Sequence, residues 1–393
     1  MPDAPDGDEP TGFDGQWHEC DDQGWYDEPC VVLTGDRRAL ELARPGLQPL
    51  VEGVTSLARA DSDGRFVAFA RFTGPQASYS FSEEYPEGTP TEGPKDWYVL
   101  DAETHRLRAL GHDGFSYRPA ACIDSGFAAY SELPLFAAGE APRPYGNGAT
   151  FVLDLVTGVE RRVEALDDAD ATVLDFEQGT LLVRVGWKSQ GIAPGTYALA
   201  LEDDAPWLII PTVFSSEDDV PVGLQGSTVM ACLLQGPDVI MAAREGDNAS
   251  IVVAKRGAPL RELAQWRTGS PQPIFLSFDV GPGMAAVAYR AGLRDFATTL
   301  WVVPFDGTEI QPINEPFIRV VNGVGKPAPV FVEDGLLYAD DGDEEARRFV
   351  VRHLDGSGTT VLHQGAQDRF EWAAPHGSST LLLEDDVLYE VVG

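Results

Sequence analysis

The sequence repeats a pattern of short apolar segments with a step of about fifty residues. The segments are rich in Val, Leu, Phe and Tyr and are separated by Gly, Asp and Pro turns, a pattern typical of β-strands. The clearest unit runs from Val54 to Leu110. The fourth strands of six units are predicted to begin near residues 107, 161, 207, 261, 310 and 359. This step predicts the blades of a β-propeller.

A seventh unit is divided between the two ends of the chain. The C-terminal part supplies three strand-like segments, RFEWAAP, STLLLED and VLYEVVG, without a closing strand. The N-terminal part supplies two candidates, Cys30–Thr34 and Ala39–Ala43, and either segment fits as the closing strand. We therefore predict an all-β propeller of seven four-stranded blades, closed by pairing of the N- and C-terminal strands, which removes open sheet edges. Six or eight blades remain alternatives, because the sequence does not define the boundaries between units sharply.

One hairpin carries a family resemblance. The segment ADSDGRFVAFA, residues 60–70, resembles the first-hairpin motif of TolB-like and dipeptidyl-peptidase-type propellers, Ser-Pro-Asp-Gly-Lys/Arg followed by an apolar strand. Asp63, Gly64, Arg65 and Phe69 match this motif, whereas Ser62 stands where proline is usual. The resemblance implies the architecture of residues 30–393 and transfers no functional residues. WD40-like repeats are less similar, because no Trp-Asp dipeptide closes the strands.

The charge balance restricts the partners. The chain has 63 acidic and 28 basic residues and a net charge of −35. Such a polyanion is not expected to bind nucleic acid or anionic membranes. No apolar run is long enough to span a bilayer, and no secretory signal is visible, so we expect a cytoplasmic protein with reduced thiols. Cys122 and Cys232 fall within apolar segments and are predicted to be buried.

The N-terminal segment differs from the rest of the chain. The first thirty residues contain ten acidic residues and no basic one. We predict that residues 1–29 form a disordered acidic tail and that residues 30–393 form a single propeller domain. Alternatively, aromatic residues of this segment, Trp17, Trp25 and Tyr26, dock onto a groove of this protein or of a partner.

Two connections between second and third strands are longer than a turn requires. They span Thr73–Lys95 in the first unit and Pro134–Ala149 in the next. Their aromatic residues are Tyr79, Phe81, Tyr85, Phe136 and Tyr145. Such connections leave a propeller on one face, so the two are predicted to lie side by side. They would act either as a partner surface or as loops without a binding role.

No catalytic signature stands out in the sequence. There is no Gly-x-Ser-x-Gly motif, the six His lack metal-ligand spacing, and no cofactor or metal is predicted. Acidic runs such as 340–345 and 384–386 are predicted to be solvated turns. We therefore predict a non-catalytic interaction or scaffold module that binds a basic protein. The alternatives are a hydrolase, lyase or small-ligand binder with a site in the central channel, and acidity that reflects only a saline cytoplasm.

Overall fold

The structure is a computed structural model. It describes residues 45–54, 56–57, 64–72, 79–80, 89–90, 95–111, 121–132, 148–169, 171–186, 191–202, 205–211, 228–270, 274–290, 298–313, 329–333, 335–343, 346–366, 370–376, 379–384 and 387–392. These ranges contain thirty β-strands and one short 3₁₀ helix, Glu164–Leu166. The predicted N-terminal tail, residues 1–29, lies outside them.

Seven four-stranded antiparallel sheets form the blades, as predicted. β1 (Leu47–Glu52) belongs to the last blade. Blade 1 has β2 (Ser56–Leu57), β3 (Phe66–Phe72), β6 (Lys95–Asp101) and β7 (Arg106–Leu110), with β4 (Tyr79–Ser80) and β5 (Thr89–Pro90) between its second and third strands. Blade 2 has β8 (Ala121–Asp124), β9 (Phe127–Glu132), β10 (Ala149–Asp154) and β11 (Glu160–Arg162). Blade 3 has β12 (Ala171–Glu177), β13 (Thr180–Val185), β14 (Gly195–Ala200) and β15 (Trp207–Pro211).

The remaining blades follow the same order. Blade 4 has β16 (Thr228–Gln235), β17 (Asp238–Glu245), β18 (Asn248–Ala254) and β19 (Arg261–Arg267). Blade 5 has β20 (Ile274–Gly281), β21 (Met284–Arg290), β22 (Thr298–Pro304) and β23 (Gln311–Ile313). Blade 6 has β24 (Val330–Val332), β25 (Gly335–Asp343), β26 (Ala346–His353) and β27 (Thr359–Ala366). Blade 7 has β28 (Phe370–His376), β29 (Ser379–Glu384), β30 (Val387–Val391) and β1.

The ring is closed by β1, which pairs antiparallel with β30 from Leu47 opposite Val391 to Glu52 opposite Val387. Closure by terminal strands is confirmed, but the closing strand is neither Cys30–Thr34 nor Ala39–Ala43, which both lie outside the described residues. The sequence did not predict this strand, because Pro49 weakens the β-strand pattern of the segment. Because β1 is the outermost strand of blade 7, the sheet tolerates the missing N–H of a proline there, beside an irregularity between Pro49 and Val51.

Apolar contacts hold neighbouring blades together. A cluster of buried side chains lies at each of the seven interfaces between adjacent blades. Between blades 7 and 1, for example, Leu381 and Leu383 pack with Val67 and Phe69. Cys122 and Cys232 belong to two other clusters and are buried, as predicted. The core is therefore a ring of inter-blade layers rather than a single central body.

Polar groups at the ends of the first strands add a second link between blades. From blade 2 to blade 7, the first strands of neighbouring blades contact one another, so they are the innermost strands. Asp124 accepts a hydrogen bond from the backbone nitrogen of Gln178 in the next blade over 3.0 Å. The Gln235 side-chain amide donates to the carbonyl oxygen of Gly281 over 2.8 Å. These bonds tie blade 2 to blade 3 and blade 4 to blade 5.

Candidate functional site

The two long connections leave the propeller from adjacent blades on the same face. β3 ends at Phe72 and β6 begins at Lys95, whereas β9 ends at Glu132 and β10 begins at Ala149. Blades 1 and 2 share an apolar cluster that includes Phe66 of β3 and Tyr130 of β9. We call the face from which second-to-third-strand connections leave the upper face, and the opposite one the lower face. The stems of both connections are therefore neighbours on the upper face.

The first of these connections contains a hairpin of its own. In β4 and β5, Tyr79 pairs with Pro90 and Ser80 with Thr89 in antiparallel register. This two-stranded sheet is separate from the seven blades. The sequence did not predict it, because four prolines and three glycines in the segment favour an irregular loop.

Of the predicted partner-binding residues, only Tyr79 lies within the described part of the chain. Tyr79 lies in β4 of the upper-face hairpin, in the backbone position just described. The others lie outside the residues that the structure describes: Trp17, Trp25, Tyr26, Phe81, Tyr85, Phe136 and Tyr145. The partner surface therefore remains a prediction.

A ring of charged residues lies near the upper-face ends of the second strands. Each second strand contributes at least one, and these include Arg71, Glu132, Arg184, Arg244, Arg290, Asp340 and Glu384. These charged residues could have been found from the sequence, because each apolar second strand carries one near its C-terminal end. The neighbours of each charged side chain depend on which inter-blade interface it faces. Strand pairing determines which interface that is.

In blades 1 and 2, glycines make room for two of these side chains. A Cβ atom on Gly53 would lie 2.7 Å from Nη2 of Arg71, and one on Gly111 would lie 2.9 Å from Oε1 of Glu132. Both glycines also have positive φ angles, of 80° and 108°. The charged groups therefore pack against the backbone of the preceding blade, where a larger residue would displace them.

Beside Glu132, a tyrosine is held in its protonated form. The Tyr130 hydroxyl donates to Oε2 of Glu160 over 2.8 Å. Burial raises the pKa of Tyr130 far above its usual value of 10.0, and the charges of Glu160 and Glu132 raise it further. Tyr130 is therefore a hydrogen-bond donor at every physiological pH, not a proton-transfer group.

Two residues of the acidic runs are buried, contrary to the prediction of solvated turns. Asp340 is 6% exposed and forms an ion pair with Arg348, its cross-strand partner in blade 6. Glu384 is 1% exposed at the end of β29. These carboxylates close apolar strands at inter-blade interfaces, which explains why they are buried although their neighbours in sequence are acidic.

Arginines of blades 3 and 4 lie beside buried groups of the following blade. Burial raises the pKa of Cys232 to about 11, Arg184 lowers it and Asp175 raises it. Burial raises the pKa of Tyr289 to about 12, whereas Arg244 lowers it. The thiol and the hydroxyl are consequently neutral at physiological pH, and neither is an activated nucleophile.

Two further observations concern the described ranges as a whole. Within them, no three His, Cys, Asp or Glu side chains lie close enough together to ligate one metal ion. No helix in this part of the chain combines the length and apolar character needed to cross a membrane.

Comparison with solved structures identifies similar folds. A prolyl endopeptidase matches with a TM-score of 0.52 and 14% identity over 82% of this chain and 44% of that chain. The β-propeller domain of the Trilobed protease from Pyrococcus furiosus, described as having an open velcro topology, matches with a TM-score of 0.50 and 11% identity over 87% of this chain and 91% of that one. The chain thus spans less than half the length of the prolyl endopeptidase. The fold is a β-propeller.

Sequence comparison assigns no family to the chain. TolB from Acinetobacter baumannii is also similar, with 16% identity over 67% of this chain and 56% of that chain and a TM-score of 0.36. No family model matches the sequence. No curated protein matches it at a significant level. At these identities the likeness extends to the fold alone.

Proposed function

We propose that the protein is an interaction module whose upper face, over blades 1 and 2, binds a basic protein. One observation carries this proposal: the stems of the two long connections are adjacent, and the first connection contains the β4–β5 hairpin. A rigid propeller that presents neighbouring long connections resembles other scaffolds whose loops bind partners.

The composition of the first connection supports a basic partner. Residues 73–94 contain four glutamates, Glu83, Glu84, Glu87 and Glu92, and no lysine or arginine. Aromatic residues of the kind found at binding hot spots are interspersed with them. The N-terminal segment has the same character, so it is proposed to extend this surface. Opposite charge would accelerate association and make it dependent on salt.

The test compares a triple variant of the upper face with a double variant of the lower face. Tyr79→Ser/Phe81→Ser/Tyr85→Ser alters the first connection, whereas Val156→Ser/Val159→Ser alters two side chains on the lower face that are 55% and 66% exposed. Each protein is immobilised and used to capture proteins from lysate at low and high salt, with circular dichroism to verify folding. We expect a basic protein to be retained at low salt by the wild type and by the lower-face variant but not by the triple variant. Equal retention by the triple variant would refute the proposal.

A further inference from the structure

We propose that the interface between blades 4 and 5 contains a binding site for a small aromatic molecule that carries a carbonyl or carboxylate oxygen. The side chains that form it belong to the apolar cluster between these two blades: Trp266, Phe275, Tyr289 and Trp301. None of them belongs to the partner surface of blades 1 and 2, so this site does not depend on that proposal.

Three buried polar atoms of this interface have no hydrogen-bond partner within the described part of the chain. They are the hydroxyl oxygen of Tyr289 and the indole nitrogens Nε1 of Trp266 and Trp301. Tyr289 is 3% exposed and Trp266 is 8% exposed. A buried polar group without a partner is costly, so three of them in one interface favour a ligand that supplies the missing partner.

Ring contacts bring these side chains together in two pairs. Trp266 of blade 4 and Trp301 of blade 5 lie on opposite sides of the interface, and their ring centroids are 6.3 Å apart. Within blade 5, the rings of Phe275 and Tyr289 pack edge to face with their centroids 5.8 Å apart. Aromatic rings at these separations are in contact. One pair therefore links the two blades, and the other belongs to blade 5.

Strand pairing in blade 5 places the two pairs side by side. Tyr289 of β21 lies opposite Thr299 of β22, and Val287 lies opposite Trp301. Alternate residues of a strand share a face, so Tyr289 and Trp301 are diagonal neighbours on one face of the sheet. Aromatic side chains are long enough to meet across such a diagonal. The phenol of Tyr289 and the indole of Trp301 therefore line the same part of the interface.

The blade 4 side faces these rings with a row of three residues. In β18, Ala249 lies opposite Arg244 of β17 and opposite Trp266 of β19. Burial raises the pKa of Tyr289 to about 12, and the charge of Arg244 lowers it, so this row is close to the phenol. The small side chain of Ala249 occupies the middle of the row. Trp266 and Tyr289 consequently lie at the same level of the interface.

The chemistry of the three unpartnered groups determines the class of ligand. An indole nitrogen donates a hydrogen bond and does not accept one, and a hydroxyl donates one. A water molecule would bring two further hydrogens, for which only the hydroxyl oxygen among these groups is an acceptor. A carbonyl or carboxylate oxygen brings none and accepts more than one hydrogen bond. Donors among aromatic rings therefore suit an aromatic molecule with such an oxygen.

The site is accessible from one side. Phe275 and Trp301 are half-buried, whereas Tyr289 and Trp266 are buried. A ligand would contact the two half-buried rings with its aromatic body and place its oxygen towards the buried donors. This arrangement is typical of small-molecule sites, in which a few polar groups orient a ligand within an apolar lining.

The experiment measures binding of three probes to the full chain by calorimetry and by thermal unfolding. Sodium benzoate and acetophenone are titrated separately at constant ionic strength, so that the two arms distinguish a carboxylate from a neutral carbonyl. Toluene has the same ring without an acceptor. We expect saturable binding of benzoate or acetophenone with a rise in Tm, and binding of toluene that is weaker by about tenfold.

Two matched variants locate the binding. Tyr289→Phe removes only the hydroxyl and is expected to weaken binding by about tenfold. Tyr197→Phe makes the same change in blade 3, where the hydroxyl donates to the carbonyl oxygen of Ala193 over 2.8 Å, and should bind like the wild type. Without a probe, Tyr197→Phe should lower Tm, whereas Tyr289→Phe should leave it unchanged or raise it, because the hydroxyl that it removes has no partner.

Four results would overturn the proposal. The first is that neither benzoate nor acetophenone binds, and the second is that toluene binds as tightly as they do. The third is equal affinity of Tyr289→Phe and Tyr197→Phe for the probe. The fourth is an equal loss of Tm in both variants without a probe, which would show that the hydroxyl of Tyr289 is already hydrogen-bonded, to water or to the protein.

Discussion

The carboxylate of Asp175 in blade 3 accepts a hydrogen bond from the backbone nitrogen of Leu234 in blade 4 over 2.8 Å. Asp175 is 1% exposed, and its second oxygen accepts from the backbone nitrogen of Phe176 over 3.0 Å. Both strands involved are innermost, so the bond joins the two blades close to the axis of the ring. The bond from Phe331 to Asp279 repeats this arrangement between blades 5 and 6. Buried carboxylates therefore fix the relative position of neighbouring blades.

Asp175→Ala is expected to lower the free energy of unfolding by about 3 kcal/mol, because two buried N–H groups lose a charged acceptor. Asp175→Asn keeps an oxygen acceptor and should cost about half as much. Urea unfolding monitored by tryptophan fluorescence measures both. The control is Glu309→Ala, at an exposed turn position. An effect of Asp175→Ala no larger than that of the control would show that this bond does not contribute to stability.

Gly335→Ala is expected to destabilise the protein by about 3 kcal/mol, because its Cβ would lie 2.2 Å from the carbonyl oxygen of Arg352 on the paired strand. Gly307→Ala is the matched control. Its Cβ would meet nothing within 4 Å, and only its φ of +81° is unfavourable for alanine, at about 1 kcal/mol. Thermal unfolding compares the two. Similar Tm values for both variants would contradict the close approach of β25 and β26 at this point.

The ion pair between Arg65 and Asp101 gives a prediction on pH. The Nη2 atom of Arg65 lies 2.8 Å from Oδ2 of Asp101. Burial alone would raise the pKa of Asp101, but Arg65 and the backbone N–H of Glu103 together lower it below 3.8. A lowered pKa in the folded state means that the stabilisation is present above the unfolded value and is lost as the pH falls below 3.8.

Arg65→Gln should therefore reduce the free energy of unfolding by about 1 kcal/mol at neutral pH, since the arginine is partly solvated. The difference from the wild type should shrink as the pH falls below 3.8. Unfolding by urea across the acid range measures this, with Arg261→Gln as the control. A difference that stays constant down to the lowest pH would argue against the ion pair as its cause.

Cys232 is expected to resist thiol reagents in the folded protein. Its pKa of about 11, raised from 9.0 by burial, leaves about 100-fold less thiolate at pH 8 than an unperturbed thiol would have. The measurement uses a variant with Cys20, Cys30 and Cys122 replaced by serine, labelled with Ellman's reagent before and after unfolding in urea. Rapid labelling of the folded variant would place Cys232 outside the inter-blade core.

The strand order was predictable because turn chemistry is local. The predicted fourth strands near 107 and 161 begin in the structure at Arg106 and Glu160, where Asp, Gly and Thr turns set the hairpin. The closing strand was missed because Pro49 weakens the strand signal, whereas its pairing with β30 depends on a contact between the two ends of the chain. No local pattern encodes such a contact.

The candidate sites were harder to predict for a similar reason. The charges at the ends of the second strands are visible in the sequence, but whether Asp340 is solvated or buried depends on the side of the blade that it faces. Irregularities in the first strands, such as that between Phe275 and Ser277, shift the register of the side chains that line each interface. Whether a charged residue is buried is therefore determined only by the packing of two neighbouring blades.

The central claim, that the upper face over blades 1 and 2 binds a basic protein, is tested most directly by site-specific photo-crosslinking. A benzophenone amino acid is introduced at Tyr79 in the upper-face hairpin and, separately, at Val159 on the lower face, which is 66% exposed. Irradiation in lysate at low salt should yield a crosslink to a basic protein from position 79 and not from position 159, and high salt should reduce it. Crosslinks from position 159 to the same protein, or no crosslink from position 79, would contradict the claim.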